Sequence, residues 1–288
     1  MDSREGFIWL DGELLPWKEA TVHVLTHALH YGSAVFEGEK AYDGVIFKLR
    51  EHTQRLVDSA SLLGMNIPWS VETLEQASYK VMSANGISNG YIRPLVWRGS
   101  ETIAVSATDA TIHTMIAVWD MLPPYSCTAS EPGIRMITSD WVRPPPKVAP
   151  TAAKASGLYI TSTLAKQAAE KAGYDDALML DYRGQVAEAT LANIFLLIDG
   201  ELHTPTPDCF LNGITRQTVI EIARRLKIGV QERAIMPEEF ARATEVFVTG
   251  TAAEITPVRQ IDNWHFSSFE ITRVLIENFE SLVRAGSN

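Results

Sequence analysis

Cysteine is scarce. The 288 residues contain two, Cys127 and Cys209. Neither belongs to a Cys-x-x-Cys pair or a zinc spacing, which favours two free thiols in a reducing compartment over a disulfide. Clustered basic residues are missing too: 25 Lys and Arg stand against 35 Asp and Glu, a net charge of −10. Phosphate backbones are bound by grouped cations, so no nucleic acid partner is expected. No apolar stretch reaches the roughly 20 residues of a membrane span, and Met1-Asp2-Ser3-Arg4-Glu5 lacks the basic start of a signal peptide. A cytoplasmic protein without a membrane partner is the expectation. GxGxxG, P-loop and GxSxG motifs are absent, which removes the anchors of dinucleotide, nucleotide-triphosphatase and serine hydrolase readings. His27, His30 and His52 lack an HExxH form and companion ligands, so no metal site is expected.

What is present is ordinary globular chemistry, 46% hydrophobic and 21% charged. Asp11-Gly12, Asp43-Gly44, Arg183-Gly184 and Asp199-Gly200 each interrupt strand-like apolar runs and read as hairpin turns. Helical spacing covers 51–63, 71–83 with Ser70 as N-cap, 159–172 stopping at Gly173, 216–226 and 269–283. Residues 121–133 are loop-like and rich in proline. They read as an interdomain linker between an N-terminal α/β domain at 1–120 and a C-terminal domain at 134–288. The fold class is therefore α+β. A second loop, 142–150, carries Pro144-Pro145-Pro146 and cannot be regular structure.

Several residues carry chemistry. Lys154 lies among Ala152, Ala153, Ala155 and Gly157, small neighbours that let a planar group approach the backbone. A nucleophilic lysine must lose its proton, and a Schiff base removes the ammonium altogether. Read alone, a lysine is far more often a surface residue. Tyr159 follows as a phenol that could tune such an imine, or as a core aromatic at a helix start. Glu188 sits in an apolar strand-like run. It is either a solvent-facing position or a buried carboxylate needing a cation, and a protonated pyridine nitrogen is such a cation. Gly213-Ile214-Thr215, leading into a helix, and Gly250-Thr251-Ala252 are phosphate-cradle candidates, with Arg55 as a possible cation for the same phosphate. A lysine, a carboxylate for a pyridine nitrogen and amide cradles are the parts of a pyridoxal 5'-phosphate site.

Taken in order, these segments resemble the branched-chain aminotransferase group of the fold-type IV pyridoxal phosphate enzymes. The resemblance covers nearly the whole chain. It is strongest in Thr26-His27-Ala28-Leu29-His30-Tyr31-Gly32-Ser33-Ala34-Val35-Phe36-Glu37-Gly38, in Tyr91-Ile92-Arg93-Pro94-Leu95 and from Pro150 through Pro257. It implies a smaller N-terminal α/β domain and a larger C-terminal domain with mostly antiparallel sheet. By that resemblance Lys154 is the catalytic Schiff-base lysine and proton shuttle, Glu188 the partner of the pyridine nitrogen and Tyr159 the ligand of the phenolic oxygen. Arg55, Ile214, Thr215 and Thr251 form the phosphate cup, and Asn193 and Leu211 complete the cofactor residues. Tyr31, Phe36, Gly38, Tyr91 and Arg93 line the substrate pocket, with Thr251 and Ala252 near the substrate carboxylate. The implied activity moves an amino group from a branched-chain L-amino acid to a 2-oxo acid such as 2-oxoglutarate or pyruvate. A homodimer that shares pocket residues is implied as well.

The sequence also departs from that pattern. Val118-Trp119-Asp120-Met121-Leu122-Pro123-Pro124-Tyr125 replaces a Pro-Trp-Gly-x-Tyr lid, the Glu188 strand reads Glu-Ala-Thr-Leu-Ala-Asn, and Lys40 stands where arginine is frequent. Placing methyl in the carboxylate pocket and aryl in the side-chain pocket preserves the arrangement in space but reverses the stereochemical label. Some (R)-amine activity is therefore an expectation. An (R)-selective amine transaminase and a D-amino-acid aminotransferase are the alternatives within the fold, although Tyr91 and Arg93 argue against the latter. Aminodeoxychorismate lyase and a noncatalytic binding module lie outside transamination.

Overall fold

The computed structural model describes residues 4–121, 125 and 133–285. These fall into two compact units. The first contains 4–121 and Ala153–Leu158, the second 125, 133–152 and Tyr159–Ala285. The linker expected over 121–133 lies largely outside the described residues. The domain expected over 134–288 needs one correction: 153–158, with Lys154, belongs to the first unit. The reason is packing, since Ala153 and Ala155 are buried in the first unit's core and Ala155 bridges to Val35.

The first unit runs β1 (Phe7–Leu10), β2 (Glu13–Pro16), α1 (His27–Tyr31), β3 (Ala34–Phe36), β4 (Glu39–Tyr42), β5 (Val45–Ile46), α2 (Leu49–Leu62), α3 (Val71–Asn85), β6 (Gly90–Arg98) and β7 (Ile112–Trp119). Its seven strands form one antiparallel sheet in the order β2-β1-β7-β6-β4-β5, with β3 also on β6. The hairpins turn where Asp11 and Asp43 adopt φ of 47° and 49°, a region Asp tolerates. Alternation along β6 and β7 sends Ile92, Val96, Ile116 and Val118 into the core, against Leu56 and Ala60 of α2 and Leu74 and Val81 of α3. Each such fully buried aliphatic side chain contributes about 1.5–3 kcal/mol. The Ser70 hydroxyl accepts from the Thr73 amide at 3.2 Å and caps α3 as expected.

The second unit runs β8 (Ile134–Thr138), α4 (Tyr159–Lys171), β9 (Asp176–Leu180), β10 (Val186–Ala189), β11 (Asn193–Ile198), β12 (Glu201–Pro205), α5 (Ile214–Arg225), β13 (Val230–Arg233), β14 (Glu245–Gly250), β15 (Glu254–Ile261), β16 (Trp264–His265) and α6 (Glu270–Ala285). Its nine strands follow the order β10-β9-β8-β15-β14-β11-β12-β13, with β16 on β15 and β10 also on β11. The sheet is mostly antiparallel. Only β8–β9, β8–β15 and β12–β13 run parallel. Its core gathers Ile134, Met136, Leu178, Ile194, Leu196, Val246, Val248 and Val258. Among the described residues no helix is long and apolar enough to cross a membrane.

Candidate active site

In the first unit, strand register collects the expected substrate residues on the face opposite the helices. Phe36 pairs with Leu95, Lys40 with Tyr91, Tyr91 with Trp119 and Arg93 with Ala117. Paired residues share a face, so Phe36, Lys40, Tyr91, Arg93 and Trp119 turn the same way. The Arg93 guanidinium carbon lies 4.7 Å from the Phe36 ring centroid, 5.3 Å from that of Tyr91 and 6.0 Å from that of Trp119. Arg93 Nη2 donates to Tyr91 Oη at 3.1 Å, while its buried Nε has no hydrogen-bond partner among the described residues. Gly38 is required here by close approach, because a Cβ at that position would sit 1.9 Å from Tyr91 Oη. Tyr31 stands apart, 47% exposed, with its hydroxyl donating to the Ile103 carbonyl at 3.0 Å.

Lys154 joins this group. Its amide donates to Ser59 Oγ at 3.0 Å, its carbonyl accepts from the Phe36 amide at 3.1 Å, and its Nζ lies 4.8 Å from the Phe36 ring centroid. The same ring thus meets two cations, Lys154 and Arg93. The small residues around Lys154 do more than admit a ligand. Ala153 and Ala155 are 1% and 4% exposed, so their size lets the segment seat in the core.

Arg55, the expected phosphate cation, is held in a fork by Glu37: Nε to Oε1 at 2.6 Å and Nη2 to Oε2 at 2.8 Å. His52 Nδ1 lies 2.7 Å from the same Oε2. Burial alone would raise the Glu37 carboxyl, but the Arg55 charge and the hydrogen bonds from His52 and Arg55 outweigh it and hold it well below the usual carboxylate range. Two residues on, Glu39 meets the opposite fate. It faces Ile92 across the sheet and is fully buried. Among the described residues neither of its oxygens has a hydrogen-bond partner, and burial, with the Glu37 charge beside it, pushes it well above the ordinary value. The sequence reading assigned no role to Glu37 or Glu39. Two carboxylates on either side of Gly38, between β3 and β4, were the available signal.

The second unit gathers the remaining cofactor candidates. Glu188 pairs with Asn193 across β10–β11, and Asn193 with Thr249 across β11–β14, so the three share a face. Glu188 is a half-buried, paired carboxylate, nearer the second of the two readings left open. Its Oε1 lies 2.9 Å from Arg143 Nε, with side chains 13% and 9% exposed. That contact is an ion pair by distance but is not aligned as a hydrogen bond from Nε. Asn193 Nδ2 donates to the Leu211 carbonyl at 3.0 Å, and to Glu188 Oε2 over a long 3.4 Å. Ile214 and Thr215 open α5, whose N-cap Gly213 offers no side-chain cap. A Cβ on Gly213 would meet Asn193 Oδ1 at 2.2 Å. Thr251 and Ala252 form the turn between β14 and β15, and Tyr159 opens α4 with its carbonyl accepting from Thr163 Oγ1 at 3.0 Å. Arg143, just ahead of three prolines, was missed by the sequence reading, which treated 142–150 only as a loop.

Asp181, Asp208 and Cys209 also approach one another, with ligand atoms within 4.8 Å. Arg183 lies 2.5 Å from one carboxylate and 2.9 Å from the other, so a single guanidinium bridges both and offsets one of the two negative charges.

Residues 34–261 match the family model described as amino-transferase class IV. The chain belongs to the class IV aminotransferases. This class IV aminotransferase is 42% identical over 282 residues to a probable branched-chain-amino-acid aminotransferase of Rickettsia bellii, covering 96% of each chain. Among solved structures it superposes on the branched-chain aminotransferase of Thermoproteus uzoniensis with norvaline at a TM-score of 0.94 and 36% identity, over 99% and 96% of the two chains. It superposes on the branched-chain aminotransferase of Thermobaculum terrenum in its PLP-form at 0.88 and 32% identity, over 99% and 95%. The fold is that of a fold-type IV aminotransferase, and the cofactor is pyridoxal phosphate. The residues present fit that group. The first amides of α5 have no side-chain cap, and the Thr249 hydroxyl, on the Glu188 face, is buried without a partner. Unsatisfied donors at a helix N-terminus suit a phosphate dianion, and a paired carboxylate suits a ring N–H.

Proposed function

We propose that the protein transfers the amino group of branched-chain L-amino acids to a dicarboxylic 2-oxo acid, 2-oxoglutarate in preference to pyruvate. The observation that carries this reading is Arg93. Its guanidinium stands among Phe36, Tyr91 and Trp119, with one buried N–H left unpartnered. Aromatic walls accept an aliphatic side chain, while the guanidinium beside Tyr91 Oη accepts a distal carboxylate. Pyruvate has no distal carboxylate to offer. The names of the relatives support the branched-chain donor.

In this reading Lys154 Nζ would hold the cofactor and, as a free amine, would serve as the base and acid that carries the substrate proton. The bound cofactor supplies an electron sink. Glu188 holds the ring N–H, and Tyr159 the phenolic oxygen. Arg55, backed by Glu37, binds the phosphate together with the amides of Ile214, Thr215 and Thr251. Asn193 and Leu211 shape that pocket, and Ala252 adds an amide near the substrate carboxylate. Removing charge from Arg93 as Arg93→Met is expected to lower kcat/KM for 2-oxoglutarate about 10- to 100-fold, the worth of a charged hydrogen bond, and to spare the leucine half-reaction.

A homodimer completes the proposal. The first unit exposes Val24 at 74%, Leu29 at 65% and Val105 at 80%. It also has an apolar hollow of about 360 Å³ lined by Ile8, Leu10, Val22, Leu29, Leu95 and Met115. Apolar surface of this kind suits a second copy. A cytoplasmic location fits the buried, free Cys209 thiol.

The test is a pair of half-reactions followed by cofactor absorbance. L-leucine and L-valine should convert the yellow enzyme, and 2-oxoglutarate should restore it faster than pyruvate does. Pyruvate outrunning 2-oxoglutarate would overturn the acceptor, and D-alanine outrunning L-leucine the donor. Including both enantiomers of 1-phenylethylamine decides the (R)-amine side activity, which is abandoned if only the S form reacts.

A further inference from the structure

Arg143 is a cation buried in the second unit for no structural reason that its neighbours make obvious. The residue is 7% exposed. Its backbone is fixed first. The amide donates to the Leu180 carbonyl at 2.8 Å, the residue bridges to Asp181, and Pro144 behind it confines Arg143 to extended geometry. Its side chain is fixed next. Nη1 donates to Ser162 Oγ of α4 at 3.0 Å, and Nη2 donates to the Thr190 carbonyl at 3.0 Å and to that of Ala189 at 3.4 Å. Ser and carbonyl oxygens orient the guanidinium but carry no formal charge. The carboxylate within ion-pair distance is Glu188.

Other acids on the elements packed around β10 are engaged elsewhere. Asp176 of β9 accepts from Thr190 Oγ1 at 2.6 Å, the Ala177 amide at 2.8 Å and Tyr125 Oη at 2.5 Å. Asp181 is paired with Arg183. The neutral Asn193 also donates to Glu188, over a long 3.4 Å. A buried cation anchored by three oxygens thus aims its charge at one carboxylate.

We propose that Arg143 is a positioning residue that holds Glu188 as an oriented carboxylate, and through it sets how readily the cofactor's ring nitrogen keeps its proton. This rests on the reading that Glu188 meets that nitrogen. The Pro-rich loop then has a role: it delivers Arg143 in one backbone conformation, so that the side-chain anchors need only fix the fork. A lysine would retain the charge but not the three-point geometry.

The coupling can be read without the cofactor. In the apo-protein carrying ¹³C-labelled glutamate, the Glu188 carboxyl signal, assigned by its loss in Glu188→Gln, is titrated by NMR. In the unsubstituted protein it should titrate below the ordinary glutamate value of about 4.3. Arg143→Met should raise it by about one to three pH units, and Arg143→Lys by less than half as much. In the holoenzyme, the pH midpoint of the cofactor absorbance should shift with Arg143→Met and return at least halfway with Arg143→Lys. A Glu188 signal at or above the ordinary value in the unsubstituted protein overturns the proposal, as does an absorbance midpoint unmoved by Arg143→Met. If Arg143→Met does not fold, the unsubstituted titration and the lysine variant still decide. Failure of the underlying reading looks different: Glu188→Gln would then leave the holoenzyme spectrum unchanged, while the apo titration still judges the Arg143–Glu188 pair.

Discussion

The two units carry opposite chemical resources. The first supplies side-chain cations: Lys154 and Arg93 near the Phe36 ring, and Arg55 in the fork of Glu37. The second supplies backbone donors at the uncapped start of α5, a buried threonine hydroxyl and one carboxylate, Glu188, itself held by a cation. Charges on side chains can be replaced one at a time, whereas donors from a helix end are fixed by close packing around glycine. The first unit should therefore respond to charge changes and the second to added bulk.

The largest expected effect is in the first unit. On the proposed roles, Lys154→Ala removes both the amine that carries the cofactor and the proton shuttle. Turnover should fall by at least the 10²- to 10⁴-fold that acid–base catalysis contributes, and added methylamine should recover part of it. Full turnover in Lys154→Ala would end the account of the first unit. Next comes Glu37→Gln. Removing one partner of a buried ion pair leaves the Arg55 charge uncompensated, which costs about 3–5 kcal/mol. Urea unfolding near pH 7 should show that loss, and it should shrink in acid. The sign follows from the depressed carboxyl: its contribution is complete above the unfolded carboxylate pKa and is lost as pH falls through the folded value.

In the second unit the matching change is steric. Gly213→Ala places a methyl 2.2 Å from Asn193 Oδ1, so Asn193 must leave its place beside Leu211 and Glu188. Cofactor affinity should weaken about tenfold, roughly the worth of one or two hydrogen bonds, as read by absorbance titration of apo-protein. An unchanged affinity would show that the α5 entrance is not tightly packed. The smallest effect is Glu39→Gln, and it sharpens the contrast inside the first unit. The Glu39 carboxyl is raised, so the unfolded chain releases its proton first. Stability should then fall as pH climbs from the unfolded carboxylate pKa toward the folded one. Glutamine cannot ionise. The variant should match the parent near pH 4 and exceed it by about 1 kcal/mol or more near pH 8, since each tenfold difference in acid strength between the folded and unfolded chain is worth about 1.4 kcal/mol.

Local rules explain what the sequence made legible. Asp11, Asp43 and Asp199 take the positive φ that Asp-Gly turns ask for. The helices expected over 71–83 and 159–172 are Val71–Asn85 and Tyr159–Lys171, and Gly173 turns at φ 81°. Lys154 and Glu188 stood out because one lies among small residues and the other in an apolar strand. Long-range facts did not show. Nothing local told that β8 runs parallel to both β9 and β15, or that 153–158 returns to the first unit through Ala153 and Ala155. Arg143 looked like one arginine in a loop until the fold set it 2.9 Å from Glu188. The burial of Glu39 had no local signal either, since alternation gives a face but not what covers it. The five-residue α1 (His27–Tyr31) is too short to carry a helical period.

Reduction of the holoenzyme with borohydride, followed by digestion and mass mapping of the phosphopyridoxyl group, tests the assignment on which every role above depends. The modified residue should be Lys154, in a peptide spanning the buried Ala153 and Ala155, with one label per chain. A label on any other lysine, or a cofactor that washes away unreduced, would contradict it.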